Sequence, residues 1–248
     1  MADVEIQRDG PVIEIRLNRP AKKNALTPVM YGAIVDGLEE LESDGDLRVA
    51  VITAEGADFC AGNDMSEFVT PTDGPLSASR FLEVLPSLTK PFVAGVQGRA
   101  IGVGGTLLLH CDLVYVGTDF ELRFPFVDLG LTPEAGSTLL LPQMVGKARA
   151  AEALLLASPI DAKKAVDWGF ANEAVEPGDV RERAMKAAHA LAAKPPEALR
   201  AAKALLRGDT DALLVRIRDE LKVFRKALVG PEFGEAAKRF MKPSSTTA

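Results

Sequence analysis

The sequence predicts an α/β fold in which strands alternate with helices and a helical region follows. Through residue 116, short apolar runs alternate with amphipathic stretches, the pattern of parallel strands joined by short crossovers. Beyond Pro142 the strand signals nearly vanish, and only 171–175 interrupts the helices. Residues from Pro195 onward are helical and charged, which predicts an outer arm.

The N-terminal elements are predicted to be a β-hairpin, a helix and a strand. Apolar residues alternate on both sides of Asp9-Gly10, a strong hairpin turn signal. Thr27 is a typical N-cap and precedes a proline, which suits the first position of a helix. Apolar residues at helical spacing then predict an amphipathic helix over 28–43. A short apolar run predicts a strand over 48–53.

The middle of the chain continues this alternation. Its pattern predicts a helix over 77–88, a buried strand over 91–96 and a helix over 103–110. A further strand is predicted over 112–116. We expect these elements to form parallel pairs with the N-terminal strands, because the connections between them are helical.

Composition excludes several classes of protein. Hydrophobic residues make up 47% of the 248 residues, and charged residues 26%, which is ordinary for a globular protein. The net charge of −6 argues against nucleic acid as a partner. No apolar run reaches the roughly 18 residues of a membrane helix, and no signal peptide is evident. Two cysteines without metal-ligand spacing indicate a reducing, cytoplasmic setting and no metal site.

Two glycine-containing segments are candidate binding loops. The segment 98–105 follows a predicted strand and opens a helix, but it matches no nucleotide-binding fingerprint, because Leu107 occupies the place of the third glycine. Its glycines allow close approach of a backbone or a ligand, and a helix start offers unpaired N–H groups that can stabilise a negative oxygen. The alternative is tight helix–strand packing. The small-residue loop 59–65 can supply another backbone donor.

Several motifs follow one another in a specific order. They are Arg19 and Pro20 with Asn24, Ala25 and Leu26, then Phe59 through Asp64, then Gly98 through Gly104 with Cys111 and Asp112. As a set they resemble the enoyl-CoA hydratase/isomerase (crotonase) superfamily, and the resemblance covers roughly residues 3–190. It implies a crotonase-like spiral core of repeated ββα units over 1–194 and a C-terminal α-helical trimerisation region over 195–248. We therefore expect a homotrimer or a dimer of trimers.

The resemblance also implies a substrate and a set of binding positions. The substrate is an acyl-CoA thioester, and no separate cofactor is expected because coenzyme A is part of that substrate. The two oxyanion-hole donors of the family fall on the backbone N–H groups of Asn63 and Val103. The positions implied for binding are Lys23, Ala25, Leu26, Ala61, Gly62, Asn63, Asp64, Met65, Gly102, Val103, Gly104 and Phe126.

The acid–base residues depart from the hydratase pattern of the family. The two glutamates of hydratases correspond to Thr106 and Phe126, and neither can deprotonate water. Glu134 lies in a segment that resembles peroxisomal-type Δ3,Δ2-enoyl-CoA isomerases, in which this glutamate is the sole catalytic base. Shifting a double bond needs only one base, which takes a proton from C2 and returns it to C4. The resemblance therefore favours isomerisation of a 3-enoyl-CoA to its 2-trans form.

Other interpretations of the same residues stay open at this stage. Thr132 as N-cap and Pro133 at the first helical position would make Glu134 part of an ordinary helix start, where the dipole lowers its pKa. Apolar neighbours would instead raise that pKa. Asp128 is another acidic candidate, whereas Asp64 is expected to brace its loop. The alternatives to an isomerase are a hydratase or other acyl-CoA lyase, and a scaffold that binds acyl-CoA or a protein without catalysis.

Overall fold

The architecture is built on a six-stranded sheet with the strand order β1-β2-β3-β4-β6-β9. The computed structural model describes residues 2–64 and 78–241. Strands β1 and β2 form the predicted antiparallel hairpin around Asp9-Gly10, and every other pair in this sheet is parallel. The strands are β1 (Val4–Asp9), β2 (Val12–Leu17), β3 (Val49–Ala54), β4 (Phe92–Val96), β5 (Arg99–Ile101), β6 (Leu113–Gly117), β7 (Glu121–Arg123), β8 (Ile160–Asp161) and β9 (Glu173–Val175).

Helices follow the strands and make up most of the second half of the described chain. Short 3₁₀ helices lie at Pro20–Lys22, Leu85–Ser87, Leu107–His110, Val127–Leu129 and Pro177–Asp179. The α-helices are α1 (Pro28–Ser43), α2 (Ala78–Val84), α3 (Val103–Thr106), α4 (Ser137–Val145), α5 (Lys147–Leu155), α6 (Ala162–Asp167), α7 (Val180–Ala192), α8 (Pro196–Arg207), α9 (Thr210–Leu228) and α10 (Pro231–Met241).

A smaller sheet of β5, β7 and β8 generates the ββα repeat. Strand β4 of the large sheet leads directly into β5 of the small sheet and then α3, and β6 leads likewise into β7. The first crossing turns at Gly98, whose φ is +58°. A Cβ atom there would lie 1.9 Å from the carbonyl oxygen of Ala57, so only glycine fits. The α/β fold class with ββα units is thereby confirmed.

Both faces of the large sheet are covered by helices. On β3, Ala50 and Ile52 belong to the main hydrophobic core, together with the buried face of α1. The alternate residues Val49 and Val51 pack with the alanine-rich face of α7, including Ala184. Alternation along a strand therefore supplies two cores, as expected for a largely parallel sheet.

Some predicted elements differ from the observed ones. Within the described residues, the helix predicted over 77–88 is α2 followed by a 3₁₀ turn at Leu85–Ser87, because Pro86 lacks the N–H that a continuing α-helix needs. The helix predicted over 103–110 is also split into α3 and a 3₁₀ turn. Strands β5, β7 and β8 have no counterpart among the predicted elements, since runs of two or three residues show no periodicity.

The C-terminal region is helical, as predicted, and it folds back on the core. Leu213, Ile217, Leu221 and Phe224 of α9 are buried and belong to the main hydrophobic core. The expectation of an outer arm is therefore wrong for α9, whose apolar face packs inward. Among the described helices, none combines the length and apolar character that crossing a bilayer requires.

Candidate active site

The two glycine-containing loops singled out from the sequence lie side by side. The N–H of Cys60 donates to the carbonyl oxygen of Arg99 (2.9 Å), and the N–H of Ile101 donates to that of Cys60 (2.8 Å). Glycine makes this approach feasible, because a Cβ on Gly104 would lie 2.6 Å from the Cβ of Cys60. A Cβ on Gly62 would lie 3.3 Å from the carbonyl oxygen of Ile101. The glycines therefore provide the tight packing that was the alternative interpretation, and this packing joins the two loops.

The backbone N–H of Asn63 is turned away from its neighbouring segment. Leu26 N–H donates to Gly62 O (2.8 Å), and Asp64 N–H donates to Leu26 O (2.9 Å). In such a parallel bridge, the residue between these two partners directs its own N–H to the opposite side. The side-chain oxygen of Asn63 accepts a hydrogen bond from the Tyr31 hydroxyl, which fixes the residue.

The backbone N–H of Val103 stands at the start of α3. Gly102 precedes it with φ +55° and ψ −120°, outside helical geometry, and the N–H groups of Gly105 and Thr106 both donate to Gly102 O (2.9 Å each). The first N–H groups of a helix have no partner within the helix. In the described part of the chain, no acceptor takes the N–H of Val103 or of Asn63. A β-bridge joins Cys60 to Ala100. The N–H of Asn63 lies three residues after Cys60, and the N–H of Val103 lies three residues after Ala100.

Glu134 is a buried carboxyl beside α3. Its side chain is held by the hydroxyl of Thr106, which donates to Oε1, and the residue is 5% exposed. Burial raises the pKa of Glu134 to about 8; the Thr106 hydrogen bond opposes this shift and the nearby Glu220 adds to it. Such a carboxyl can take up and release a proton near neutral pH, as a general base must.

The alternative interpretation of a helix start at Thr132 is contradicted by the structure. Helix α4 begins at Ser137, because Ala135 and Gly136 adopt left-handed conformations with φ of +60° and +72°. The N–H groups at this start are satisfied by Glu220 instead, as Gly136 N–H donates to its Oε2 (2.6 Å). Glu134 therefore lies before the helix rather than in its first turn, and burial determines the direction of its pKa shift.

The two positions that hold glutamates in hydratases are both buried. Thr106 is completely buried and orients the carboxyl of Glu134 through its hydroxyl. Phe126 is buried too and precedes the 3₁₀ turn Val127–Leu129. Neither side chain can accept a proton from water, so the geometry supplies one carboxyl where a hydratase has two.

The remaining acidic candidates have other partners. Asp64 forms an ion pair with Arg19, whose Nη1 lies 2.7 Å from its Oδ2. Arg19 also donates to the carbonyl oxygen of Ala25, so Asp64 braces this loop as expected. Asp128 is paired with Arg123 at 3.0 Å, and its side chain is 41% exposed. The structure does not bring Asp128 to Glu134.

Hydrogen bonds join two of the segments implied for coenzyme A binding. Ala61 N–H donates to Lys23 O (2.9 Å), which joins the loop of Lys23, Ala25 and Leu26 to that of Ala61. The Lys23 side chain is exposed, and Gly102 and Gly104 are buried at the second loop. Met65 lies outside the described residues. The described part of the chain contains no cluster of three or more histidine, cysteine or carboxylate side chains suited to a metal ion.

Two further residues at the site belong to none of the sequence motifs. His110 donates from Nε2 to the carbonyl oxygen of Ala135 (2.8 Å), and burial lowers the pKa of its ring to about 4, so the ring is neutral. Glu220 caps α4 from helix α9. Its signal in the sequence is its position at helical spacing among the apolar residues Leu213, Ile217 and Phe224, where a charged side chain is unexpected.

The ββα core holds a buried carboxyl, Glu134, that is hydrogen-bonded to Thr106 of α3, the short helix that begins at Val103. The family model described as enoyl-CoA hydratase/isomerase matches residues 7–242, so the chain belongs to this family of acyl-CoA enzymes. The resemblance to the crotonase superfamily is confirmed by this match.

Known relatives differ in the reaction that their names give. Enoyl-CoA delta isomerase 2 of Rattus norvegicus is 31% identical over 223 residues, which are 87% of this chain and 57% of the relative. A 2,3-dehydroadipyl-CoA hydratase of Escherichia coli (strain K12) is 33% identical over 232 residues, covering 90% and 89%. The solved structure of Pseudomonas aeruginosa OdaA has a TM-score of 0.94 at 40% identity, covering 98% of this chain and all of that one. Family membership alone therefore does not decide between isomerisation and hydration.

Proposed function

We propose that this protein is an enoyl-CoA isomerase that converts a 3-enoyl-CoA to the 2-trans isomer. The observation that carries the proposal is the buried Glu134, whose pKa is raised to about 8 and whose carboxyl is held by Thr106. Thr106 and Val103 belong to the same short helix α3. This helix therefore both binds the Glu134 carboxyl, through Thr106, and presents the backbone N–H of Val103. A relative named as an enoyl-CoA delta isomerase is consistent with this reaction.

The mechanism needs one base and two hydrogen-bond donors. The carboxylate of Glu134 removes a proton from C2 of the bound thioester, and the electron pair moves onto the thioester oxygen. The N–H groups of Asn63 and Val103 stabilise that oxygen in the dienolate. Glu134 then returns the same proton to C4, which places the double bond between C2 and C3. Proton, charge and bonds balance without a second acid or a cofactor.

Hydration is the main alternative reaction. It requires water to be oriented and deprotonated while a proton is delivered to C2, for which the family uses two glutamates. Thr106 and Phe126 stand at those positions, and Asp128 is paired with Arg123 near the surface. A scaffold that binds acyl-CoA without turnover would not need Glu134 to be buried at a cost in stability.

The binding and assembly properties belong to the same proposal. We propose that the loops of 23–26 and 61–65, with 102–104 and Phe126, bind the coenzyme A thioester, and that no separate cofactor takes part. We also propose a cytoplasmic homotrimer or dimer of trimers, with the region 195–248 contributing to assembly. Leu205 and Leu206 of α8 are 85% and 89% exposed, which is typical of apolar residues that a partner subunit covers.

The test is the isosteric substitution Glu134→Gln. The amide cannot accept the C2 proton but can keep the hydrogen bond from Thr106, so we expect kcat for a 3-enoyl-CoA to fall by about 10³-fold. Binding of coenzyme A, measured by calorimetry, should stay unchanged. Both proteins are assayed with a 3-enoyl-CoA for isomerisation and with crotonyl-CoA for hydration.

The matched control is Asp128→Asn, which removes a surface carboxylate of the same region and should leave isomerisation intact. Substantial isomerisation by Glu134→Gln would exclude Glu134 as the base. Hydration of crotonyl-CoA at a rate above that of isomerisation would favour a hydratase. Binding of coenzyme A with no turnover of either substrate would favour the non-catalytic scaffold.

A further inference from the structure

We infer that Glu220, on the C-terminal helix α9, is a positioning residue for Glu134. It acts by holding the segment 134–138 in its left-handed turn. This inference rests on the function proposed above, since it gives that function a second carboxylate with a different task. Glu220 binds the backbone just after Glu134, and it affects catalysis by fixing the position of the Glu134 carboxyl.

The contacts of Glu220 all go to one short segment of the chain. Its Oε2 accepts from the N–H of Gly136 (2.6 Å), and its Oε1 accepts from the N–H of Thr138 (3.0 Å) and from the Thr138 hydroxyl. The residue is 7% exposed, so these bonds replace water that the buried carboxylate has lost. All three partners are donors at or beside the start of α4, so the Glu220 side chain acts as a remote helix cap.

The segment that Glu220 holds has an unfavourable backbone conformation. Ala135 has φ +60°, a left-handed conformation that is strained for a residue with a Cβ atom, and it is followed by Gly136 in the same region. Contacts must therefore offset this cost. His110 supplies one from the other side, by donating to the carbonyl oxygen of Ala135 (2.8 Å). Glu134 is thus followed by a turn that is held from both sides.

The charge of Glu220 also acts on the base. Among the described residues, the titratable or charged groups around this turn are Glu134 and Glu220 themselves, the neutral ring of His110, Arg216, and Asp219, which lines the cavity beside Thr138. Burial raises the pKa of Glu220. The hydrogen bonds from Thr138 and Gly136 oppose this shift, as does the charge of Arg216, which donates to the Thr138 hydroxyl (3.2 Å). The negative charge of Glu220 raises the pKa of Glu134, so its removal should lower that pKa.

The experiment is the pH dependence of isomerisation in Glu220→Gln. We expect kcat to fall about 10- to 100-fold because the turn loses a hydrogen bond, while KM changes by less than about threefold. The acid limb of the kcat/KM profile should move to lower pH, because the repulsive charge is gone. The matched control is Asp211→Asn, an exposed carboxylate in the first turn of the same helix, which should leave both kcat and the limb unchanged.

A second variant guards against failure of Glu220→Gln to fold. Thr138→Val removes one donor to Glu220 at nearly constant shape, and we expect a smaller fall in kcat, about threefold to tenfold. A fall in kcat without movement of the limb in Glu220→Gln would make Glu220 a merely structural residue and overturn the inference. Wild-type kcat in both variants would overturn it as well.

The protonation of Glu134 can also be followed without substrate. A protonated carboxyl has an infrared C=O band, and the band that the wild type shows but Glu134→Gln lacks belongs to Glu134. In Glu220→Gln we expect this band to titrate at lower pH than in the wild type. An unshifted titration contradicts the inference whether or not the protein isomerises. Failure of the wild type to isomerise contradicts the proposed function, and the two failures are therefore distinguishable.

Discussion

At Glu134, burial and hydrogen bonding act on one carboxyl in opposite directions. Burial favours the protonated form and raises the pKa to about 8, while the Thr106 hydroxyl favours the ionised form. In the reaction we propose, a base with this pKa binds a proton strongly enough to take it from C2 and still releases it to C4. The cost falls on stability, because a glutamate in water has an ordinary pKa of 4.5 and would be ionised at neutral pH.

This cost predicts a pH-dependent stabilisation by Glu134→Gln. Between about pH 4.5 and 8 the folded wild type binds one more proton than the unfolded chain, so its free energy of unfolding decreases as pH rises. Glutamine cannot ionise and escapes this loss. We expect the two proteins to melt together at pH 5 and the variant to be about 4 kcal/mol more stable at pH 8.5.

Thermal unfolding at the two pH values measures this difference. A shift of about 2 to 4 °C per kcal/mol is expected for a chain of this size. The control is Glu83→Gln, which neutralises an exposed glutamate and should show the same difference from the wild type at both pH values. Equal melting temperatures of wild type and Glu134→Gln at pH 8.5 would show that the carboxyl is not desolvated.

Among the elements, the two glycine-containing loops depend on each other for their geometry. The helix α3 that presents Val103 packs through Gly104 against the backbone and side chain of Cys60. Cys60 is bridged to Ala100, three residues before Val103, and it lies three residues before Asn63. The separation of the two proposed donors is therefore set by how closely these loops approach.

This dependence predicts a large effect of a single methyl group. In Gly104→Ala the new Cβ would lie 2.6 Å from the Cβ and 2.9 Å from the carbonyl oxygen of Cys60, so the loops must move apart. We expect kcat for a 3-enoyl-CoA to fall about 100-fold, as for the loss of one oxyanion donor. Steady-state kinetics measures it.

A glycine in open space provides the comparison. A Cβ on Gly178 would have no other atom within 4 Å, so Gly178→Ala should retain wild-type kcat. Undiminished activity of Gly104→Ala would show that the proposed donors are not coupled through this contact.

For the whole molecule, hydrogen bonds connect parts that are distant in the chain. The loop of Lys23 to Leu26 is bonded to the first glycine-containing loop, and that loop is bonded to the second. Thr106, in the helix after the second loop, binds Glu134, and helix α9 binds the turn that follows Glu134. Helix α9 contributes both apolar residues to the main core and Glu220 to the turn after Glu134. The C-terminal region therefore packs against the turn that follows Glu134.

Local signals predicted the features that depend on nearby residues. The hairpin at Asp9-Gly10, helix α1 and the two glycine-containing loops follow from turn, cap and spacing patterns. Local patterns did not predict the start of α4, because this start depends on Glu220, which lies 84 residues beyond Gly136 in the chain. No local pattern contains such a contact. The raised pKa of Glu134 likewise depends on burial, which the sequence left open between two directions.

The transfer of one hydrogen from C2 to C4 tests the central claim most directly. A 3-enoyl-CoA with deuterium at both C2 positions is isomerised in ordinary water, and the early product is analysed by mass spectrometry and NMR. A single buried base that keeps its proton between the two steps predicts that a substantial fraction of the product carries deuterium at C4. Product with no deuterium at C4 would show that the proton comes from water or from a second group, and would contradict the one-base account.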